Sequence, residues 1–216
     1  MAKPLLVIGN RNYSSWSFRA WLILKKAAIE FEEVRIPLFV AGFENDIRKY
    51  SPAGKVPILQ DGDSLVWDSM AIAEYVAERV PRLWPDDIKT KAMARSIAAE
   101  MHSGFAGIRS AMPMNCRAVR RKVDITTEVA VEIRRIQQLV SDCRSRDAAF
   151  GPWLFGAFSI ADAMYVPIIS RFVTYGVESD SIVTEYTETV MNEPYVMEWY
   201  SGAEAETEII EMAEVG

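Results

Sequence analysis

The stretch Ser51–Arg79, SPAGKVPILQDGDSLVWDSMAIAEYVAER, confines the fold more than any other part of this chain. Lys55-Val56-Pro57-Ile58-Leu59 reads as a short strand opened by a proline, Asp61-Gly62-Asp63 as a tight turn, and Leu65-Val66-Trp67 as a second strand. Asp68-Ser69 supplies a helix start, and Met70, Ile72, Ala73, Val76 and Ala77 follow at a helical period. Extended backbone beside a helix N-terminus makes an edge on which an extended peptide can lie.

The flanking sequence sets this unit in a larger plan. Leu5-Leu6-Val7-Ile8 reads as a buried parallel strand, Ser14–Ser17 can cap a helix running to about Ala28, and Ile29–Ile36 alternates as a second strand ended by Pro37. A short helix over 43–50 precedes Ser51. Beyond Val80-Pro81-Arg82-Leu83-Trp84-Pro85 the apolar period becomes helical throughout: long helices over 88–111 and 126–146, shorter ones over 160–175, 183–192 and 195–206. The expected fold is an α/β portion, residues 1–80, a linker, 81–87, and an all-α portion, 88–216.

Composition narrows the function. The 216 residues carry 24 Lys and Arg against 30 Asp and Glu, a net charge of −6, which disfavours a nucleic-acid partner. Arg117, Arg120, Arg121 and Lys122 read as a solvated turn or an anion-facing rim. Two cysteines, Cys116 and Cys143, without a CxxC suit a reducing cytosol, and one histidine makes a protein-built zinc site unexpected. MAKPLLVIGNRNYS lacks the apolar core of a signal peptide, and no run of 18 apolar residues offers a membrane span, so the expectation is a cytoplasmic protein. There is no GxGxxG to cradle a nicotinamide cofactor.

Three segments carry chemistry. Tyr13-Ser14-Ser15-Trp16-Ser17-Phe18-Arg19 places hydroxyls at a helix N-terminus, where free N–H groups favour an anion such as a thiolate. It reads equally as a plain N-cap series. Val56-Pro57, if cis, turns the Val56 N–H and C=O toward an added strand; a trans proline at the start of a strand is the commoner arrangement. Asp68-Ser69 can hold an ammonium and a carboxylate on one carbon, or can be a helix cap.

Taken together, the three resemble the cytosolic glutathione transferase superfamily over essentially the whole chain. SSWSFRAWLILKKAAIEFE is similar to the zeta-class pattern SSCxWRVRIAL through Ser14, Ser15, Ser17, Arg19, Leu24 and Ile29. The resemblance implies a thioredoxin-like first portion, an all-helical second portion, and glutathione as co-substrate. It makes Ser14, with Ser15 beside it, the hydroxyl that activates the glutathione thiol, and Pro57 a cis proline. Val56 would pair with the cysteinyl backbone, and Asp68 and Ser69 would take the γ-glutamyl amine and carboxylate. Lys55, or Arg48 or Lys49, would meet the glycine carboxylate. Ser159-Ile160-Ala161-Asp162 matches the superfamily's capping box, a folding device. The chain departs from the zeta pattern at Trp16, where that pattern has Cys, and Arg171 lies a few residues from the basic residue that zeta isomerases use.

The resemblance puts the second-substrate pocket opposite Ser14, on the helix after the linker. His102, Phe105 and Arg109 are spaced three and four apart and are expected to share a face, with Arg109 available to a carboxylate or an anionic leaving group. Met112 and Met114 can line an adaptable pocket or belong to the core. The functions implied are thiolate addition to a small electrophile in detoxification, zeta-like maleylacetoacetate isomerisation, glutathione-dependent reduction or dehalogenation, or a non-catalytic glutathione- or protein-binding module. The family's two-fold arrangement implies a homodimer joined through segments 60–80 and 88–110.

Overall fold

A computed structural model describes residues 3–216. Four strands, β1 (Leu5–Ile8), β2 (Glu32–Arg35), β3 (Ile58–Asp61) and β4 (Ser64–Trp67), form one sheet in the order β2–β1–β3–β4. β1 and β2 are parallel and joined by α1 (Ser15–Lys26), while β3 runs antiparallel to β1 and β4 to β3. Strand alternation divides the apolar residues between two faces. Leu6, Ile8 and Leu59 join a core with Phe18 and Leu22 of α1 and Ile72 and Val76 of α3 (Ser69–Arg79). Val7 and Ile58 face the other way and pack with Ile36 and with Ile47 of α2 (Phe43–Arg48). The β3–β4 turn puts Gly62 at φ 59, a left-handed value that glycine adopts without strain.

The remaining helices are α4 (Ile88–Ser103), α5 (Ala106–Ala111), α6 (Thr127–Asp147), α7 (Ile160–Tyr175), α8 (Ser181–Met191) and α9 (Pro194–Glu204). α7 is buried along almost its whole length because it packs on α4 and on α1, so one apolar core runs from the sheet into the helices. Its capping box is present as expected. The Asp162 carboxylate accepts from Ser159 N at 2.8 Å, Leu154 N at 2.9 Å and the Tyr186 hydroxyl at 3.1 Å. It thereby ties the start of α7 to α8. Phe18 stacks on Trp199 at 4.6 Å, fastening α9 to α1, and Leu83 and Trp84 are buried in the link between sheet and helices.

Three expectations change. The helix expected over 88–111 breaks at Gly104-Phe105. A Cβ on Gly104 would sit 2.9 Å from the Glu100 carbonyl, and Phe105 adopts φ 61. The backbone groups freed by the break find partners. Glu132 accepts from Gly107 N and Ile108 N at the start of α5, and the Arg109 guanidinium donates to the carbonyls of Met101 and Gly104 at the end of α4. His102, Phe105 and Arg109 therefore do not share a helix face, and Phe105 is a core residue. Met112 and Met114 are core as well.

The basic cluster is a solvated turn only in part: Arg120 and Lys122 are exposed, but Arg117 and Arg121 are engaged. Arg117 donates to the carbonyls of Glu206 and Glu208, and Arg121 to Gly216 O and the Glu214 carboxylate, so these two arginines clamp the C-terminal tail. The first strand of the hairpin begins at Ile58 rather than Val56, leaving Val56-Pro57 as the approach to it.

Candidate functional site

Two adjoining cavities open along the junction of sheet and helices. The first, about 470 Å³, is lined by Lys55, Val56, Pro57, Trp67, Asp68 and Ser69 among others. The second, about 370 Å³, is lined by Ser14, Ser15, Leu38, Phe39, Arg109 and Arg171 among others. Trp16, Lys55 and Val56 belong to both. The expected residues Lys55, Val56, Pro57, Asp68 and Ser69 thus meet in one cavity, and Ser14, Ser15 and Arg109 meet in the next. Arg48 and Lys49 line neither; they pair with Glu44 and Asp46 on the surface of α2.

In the first cavity the polar groups are supplied by the approach to β3 and by the N-terminal end of α3. The Val56–Pro57 peptide is cis. Among the described residues the Val56 N–H and C=O make no hydrogen bond. Asp68 is the N-cap of α3: its Oδ1 accepts from Met70 N at 2.8 Å and Ala71 N at 3.4 Å, a device worth about 1 kcal/mol. Ser69 follows at the first helical position and is buried, and its Oγ has no partner among the described residues. A buried hydroxyl without a partner costs about 1–3 kcal/mol, a cost that an acceptor bound in the cavity removes.

The second cavity begins at the N-terminus of α1. Ser14 is the N-cap, accepting from Ser17 N at 3.4 Å, and the two hydroxyls lie 2.7 Å apart. Ser17 Oγ accepts from Gly9 N at 3.0 Å. Ser14 Oγ donates to Ser17 Oγ, so the Ser14 proton reaches a ligand only when the hydroxyl turns away from Ser17 toward the cavity. The Ser15 hydroxyl makes no hydrogen bond among the described residues and lines the same cavity.

Trp16 divides the two cavities. The Arg19 guanidinium carbon lies 4.6 Å and that of Arg109 4.9 Å from the Trp16 ring centroid, and the ring of His102 meets it edge-on at 5.2 Å. Arg19 is fully buried and its three guanidinium nitrogens have no partner among the described residues. Burial holds it well below the usual guanidinium range, the charges of Arg109 and Arg171 push it further down, and Asp68 opposes them. Burial also lowers Arg109, against the pull of Glu132, and lowers Arg171, with Arg109 adding to the effect. His102 lines neither cavity; it stands behind Asp68, with Nε2 at 3.3 Å from Oδ2.

From sequence, Trp16 reads only as a departure from the zeta pattern and Arg19 only as a match to it. The available signal is position: both lie in the first turns of the helix that Ser14 caps. The apolar lining from Leu38, Phe39 and Phe43 has no such signal. The C-terminal tail, unplaced by sequence, returns to Tyr13, which lines the second cavity. Glu214 there accepts from the Tyr13 hydroxyl at 2.6 Å and from Asn115 Nδ2 at 2.8 Å.

Among the described residues no group of His, Cys, Asp and Glu is arranged to hold a metal, and no helix is long and apolar enough to cross a membrane.

Comparison with known proteins matches residues 13–79 to the family model described as glutathione S-transferase, N-terminal domain. A zeta-class glutathione S-transferase of Euphorbia esula is 31% identical over 116 residues, 52% of this chain and 52% of that protein. A maleylacetoacetate isomerase of Rattus norvegicus is 33% identical over 113 residues, 50% of this chain and 51% of that protein. The matched stretch thus spans about half the length of these curated relatives. Among solved structures, a glutathione transferase homologue from Burkholderia GL BGR1 with bound glutathione superposes with a TM-score of 0.73 at 22% identity, covering 95% of this chain and 100% of that one. A homologue from Drosophila mojavensis, also with bound glutathione, gives 0.72 at 19% identity, covering 94% of each. The architecture is therefore the glutathione transferase fold, a thioredoxin-like portion followed by a helical one. Residues 13–79 thus match the glutathione S-transferase N-terminal domain in sequence, and the chain over almost its whole length matches the glutathione transferase fold.

Proposed function

We propose that the protein is a glutathione transferase: the α/β portion, residues 1–80, binds glutathione, and the helical portion, 88–216, joined to it through 81–87, completes the electrophile pocket. The observation that carries this reading is the buried, unpartnered Ser69 hydroxyl, in one cavity with Asp68 and the unpaired Val56 backbone. In this reading Ser69 takes the γ-glutamyl carboxylate, Asp68 the amine, Val56 the cysteinyl backbone and Lys55 the glycine carboxylate.

The thiol then lies at the start of α1. The helix N-terminus, the Ser14 hydroxyl and the positive field of Arg19, Arg109 and Arg171 all favour its ionised form. Its proton leaves to solvent, and the sulfur attacks an electrophile in the second cavity. Glutathione is consumed as a co-substrate, and no metal takes part. The protein would act in the cytoplasm in detoxification, as a homodimer joined through 60–80 and 88–110, where Leu65, Trp67, Ile88 and Met93 are exposed.

A second reading, isomerisation of a maleyl compound in which glutathione adds and leaves again, draws on the names of the curated relatives and on the guanidinium cluster. Trp16 in place of the zeta cysteine weighs against it.

Calorimetric titration with glutathione, followed by turnover with aryl halides and maleyl compounds, tests the assignment. Saturable binding with conjugate formation is expected. Binding without turnover of any electrophile would make the protein a binding module, and absence of binding would overturn both readings.

A further inference from the structure

We propose that the second cavity selects electrophiles in which an aromatic ring carries a carboxylate. The inference rests on the glutathione reading above and deepens it. Its lining has two parts of different character, one from the helices after the linker and one from the segment after β2 together with α2.

The helical wall is cationic and has donors to spare. Arg171 spends Nε on Met112 O and Nη1 on Pro167 O, both at 2.8 Å. Arg109 spends Nε and Nη2 on Gly104 O and Met101 O. Among the described residues Arg171 Nη2 and Arg109 Nη1 have no partner, and both residues line the cavity. Their partners are neutral carbonyls, which fix the guanidinium planes without balancing the charge. The nearest acid to Arg109, Glu132, is occupied with the N-terminus of α5. Arg19, buried on the other contact with Trp16, adds a third guanidinium, whose nitrogens have no hydrogen-bond partner among the described residues. Pinned guanidinium groups with free N–H donors match a planar carboxylate.

The other part is apolar. Leu38, Phe39, Phe43 and Ile47 line it, and the rings of Phe39 and Phe43 lie 5.4 Å apart. Phe39 is 60% exposed and held at φ 60, a backbone value that is rare for a bulky residue. A small aliphatic dicarboxylate makes no use of this wall, and a neutral arene leaves the guanidinium groups uncompensated. A ring bearing one carboxylate uses both, and its ring stacks on aromatic side chains within a cavity of about 370 Å³.

The test uses a matched pair, 4-chloro-3-nitrobenzoate and 4-chloro-3-nitrobenzamide, with glutathione. Both react by the same step: the glutathione sulfur bonds the ring carbon that carries chlorine, chloride leaves with the bonding electron pair, and the thiol proton passes to solvent. Each kcat/KM is divided by the uncatalysed rate constant, so that intrinsic reactivity cancels. The carboxylate is expected to be preferred about tenfold or more, and Arg109→Gln is expected to bring the ratio close to one. Should that variant fail to fold, inhibition of the wild-type protein decides: benzoate is expected to inhibit more strongly than benzamide and than maleate. Equal use of benzoate and benzamide derivatives overturns the proposal, and stronger inhibition by maleate assigns the cavity to small dicarboxylates instead. Glutathione binding without carboxylate preference sinks only this proposal. Absence of glutathione binding sinks the function on which it rests.

Discussion

The two adjoining cavities are built in opposite ways. The first comes almost entirely from one stretch of chain, Ala53 to Ser69, with Trp16 closing it. Its polar groups are a strand approach, a helix cap and a first-turn hydroxyl, all set by local sequence. The second gathers Ser14 and Ser15, the Leu38–Ile47 segment, Lys55 and Val56, Arg109 and Arg171 from five separate parts of the chain. Its character is decided by packing. In the proposed function the local cavity holds the substrate common to the superfamily, and the assembled cavity holds the substrate that distinguishes this chain.

The sharpest way to break that division is at Ser14. Ser14→Ala removes one hydrogen-bond donor aimed at the developing thiolate, and such a loss lowers kcat about a hundredfold. The thiol pKa of bound glutathione should rise, read from thiolate absorbance against pH, while the calorimetric affinity changes little. Ser15→Ala is the control, because the Ser15 hydroxyl is unpartnered in the same cavity. Full turnover in Ser14→Ala with loss in Ser15→Ala would transfer the role to Ser15.

Ser69→Ala should act on the other cavity and on the other constant. Losing a hydrogen bond to a charged carboxylate weakens glutathione binding about tenfold. Turnover at saturating glutathione should be nearly that of the parent protein. A variant with intact affinity and reduced kcat would show that the two cavities do not divide binding from chemistry in this way.

The same contrast explains what the sequence made legible. The β3–β4 hairpin, the start of α3 at Asp68-Ser69 and the capping box at Ser159–Asp162 are each encoded by residues within a few positions of one another, and each is in place. The break after α4 was hidden because the apolar period continues across it. Gly104 permits the break, because any Cβ there would crowd the Glu100 carbonyl, and Glu132, on another helix, satisfies the backbone groups that the break frees. Hence the face imagined for His102, Phe105 and Arg109 dissolved into a residue behind Asp68, a core residue and a cavity residue. The clamp of Arg117 and Arg121 on the tail was hidden for a similar reason: its acceptors lie about ninety positions away in sequence.

The smallest predicted effect concerns the residue that touches both regions. His102 is the only histidine of the chain, so its imidazole signal is unambiguous. Its Nε2 faces the Asp68 carboxylate of the first cavity, and its ring meets Trp16, the divider. Burial lowers its pKa below the ordinary 6.5, Asp68 opposes that shift, and Arg19 and Arg109 reinforce it. A lowered pKa means that the folded protein holds His102 neutral. The stability this contributes is complete above the ordinary value and is lost as pH falls through the lowered one. Asp68→Asn removes the opposing charge and should lower the pKa further, whereas Arg109→Gln should raise it; an NMR titration reads both. Glutathione makes the decisive comparison. If its ammonium pairs with Asp68, the carboxylate is partly neutralised toward His102 and the imidazole pKa should fall on binding. A rise would mean that the ammonium lies elsewhere, and would leave Asp68 as the cap of α3 alone.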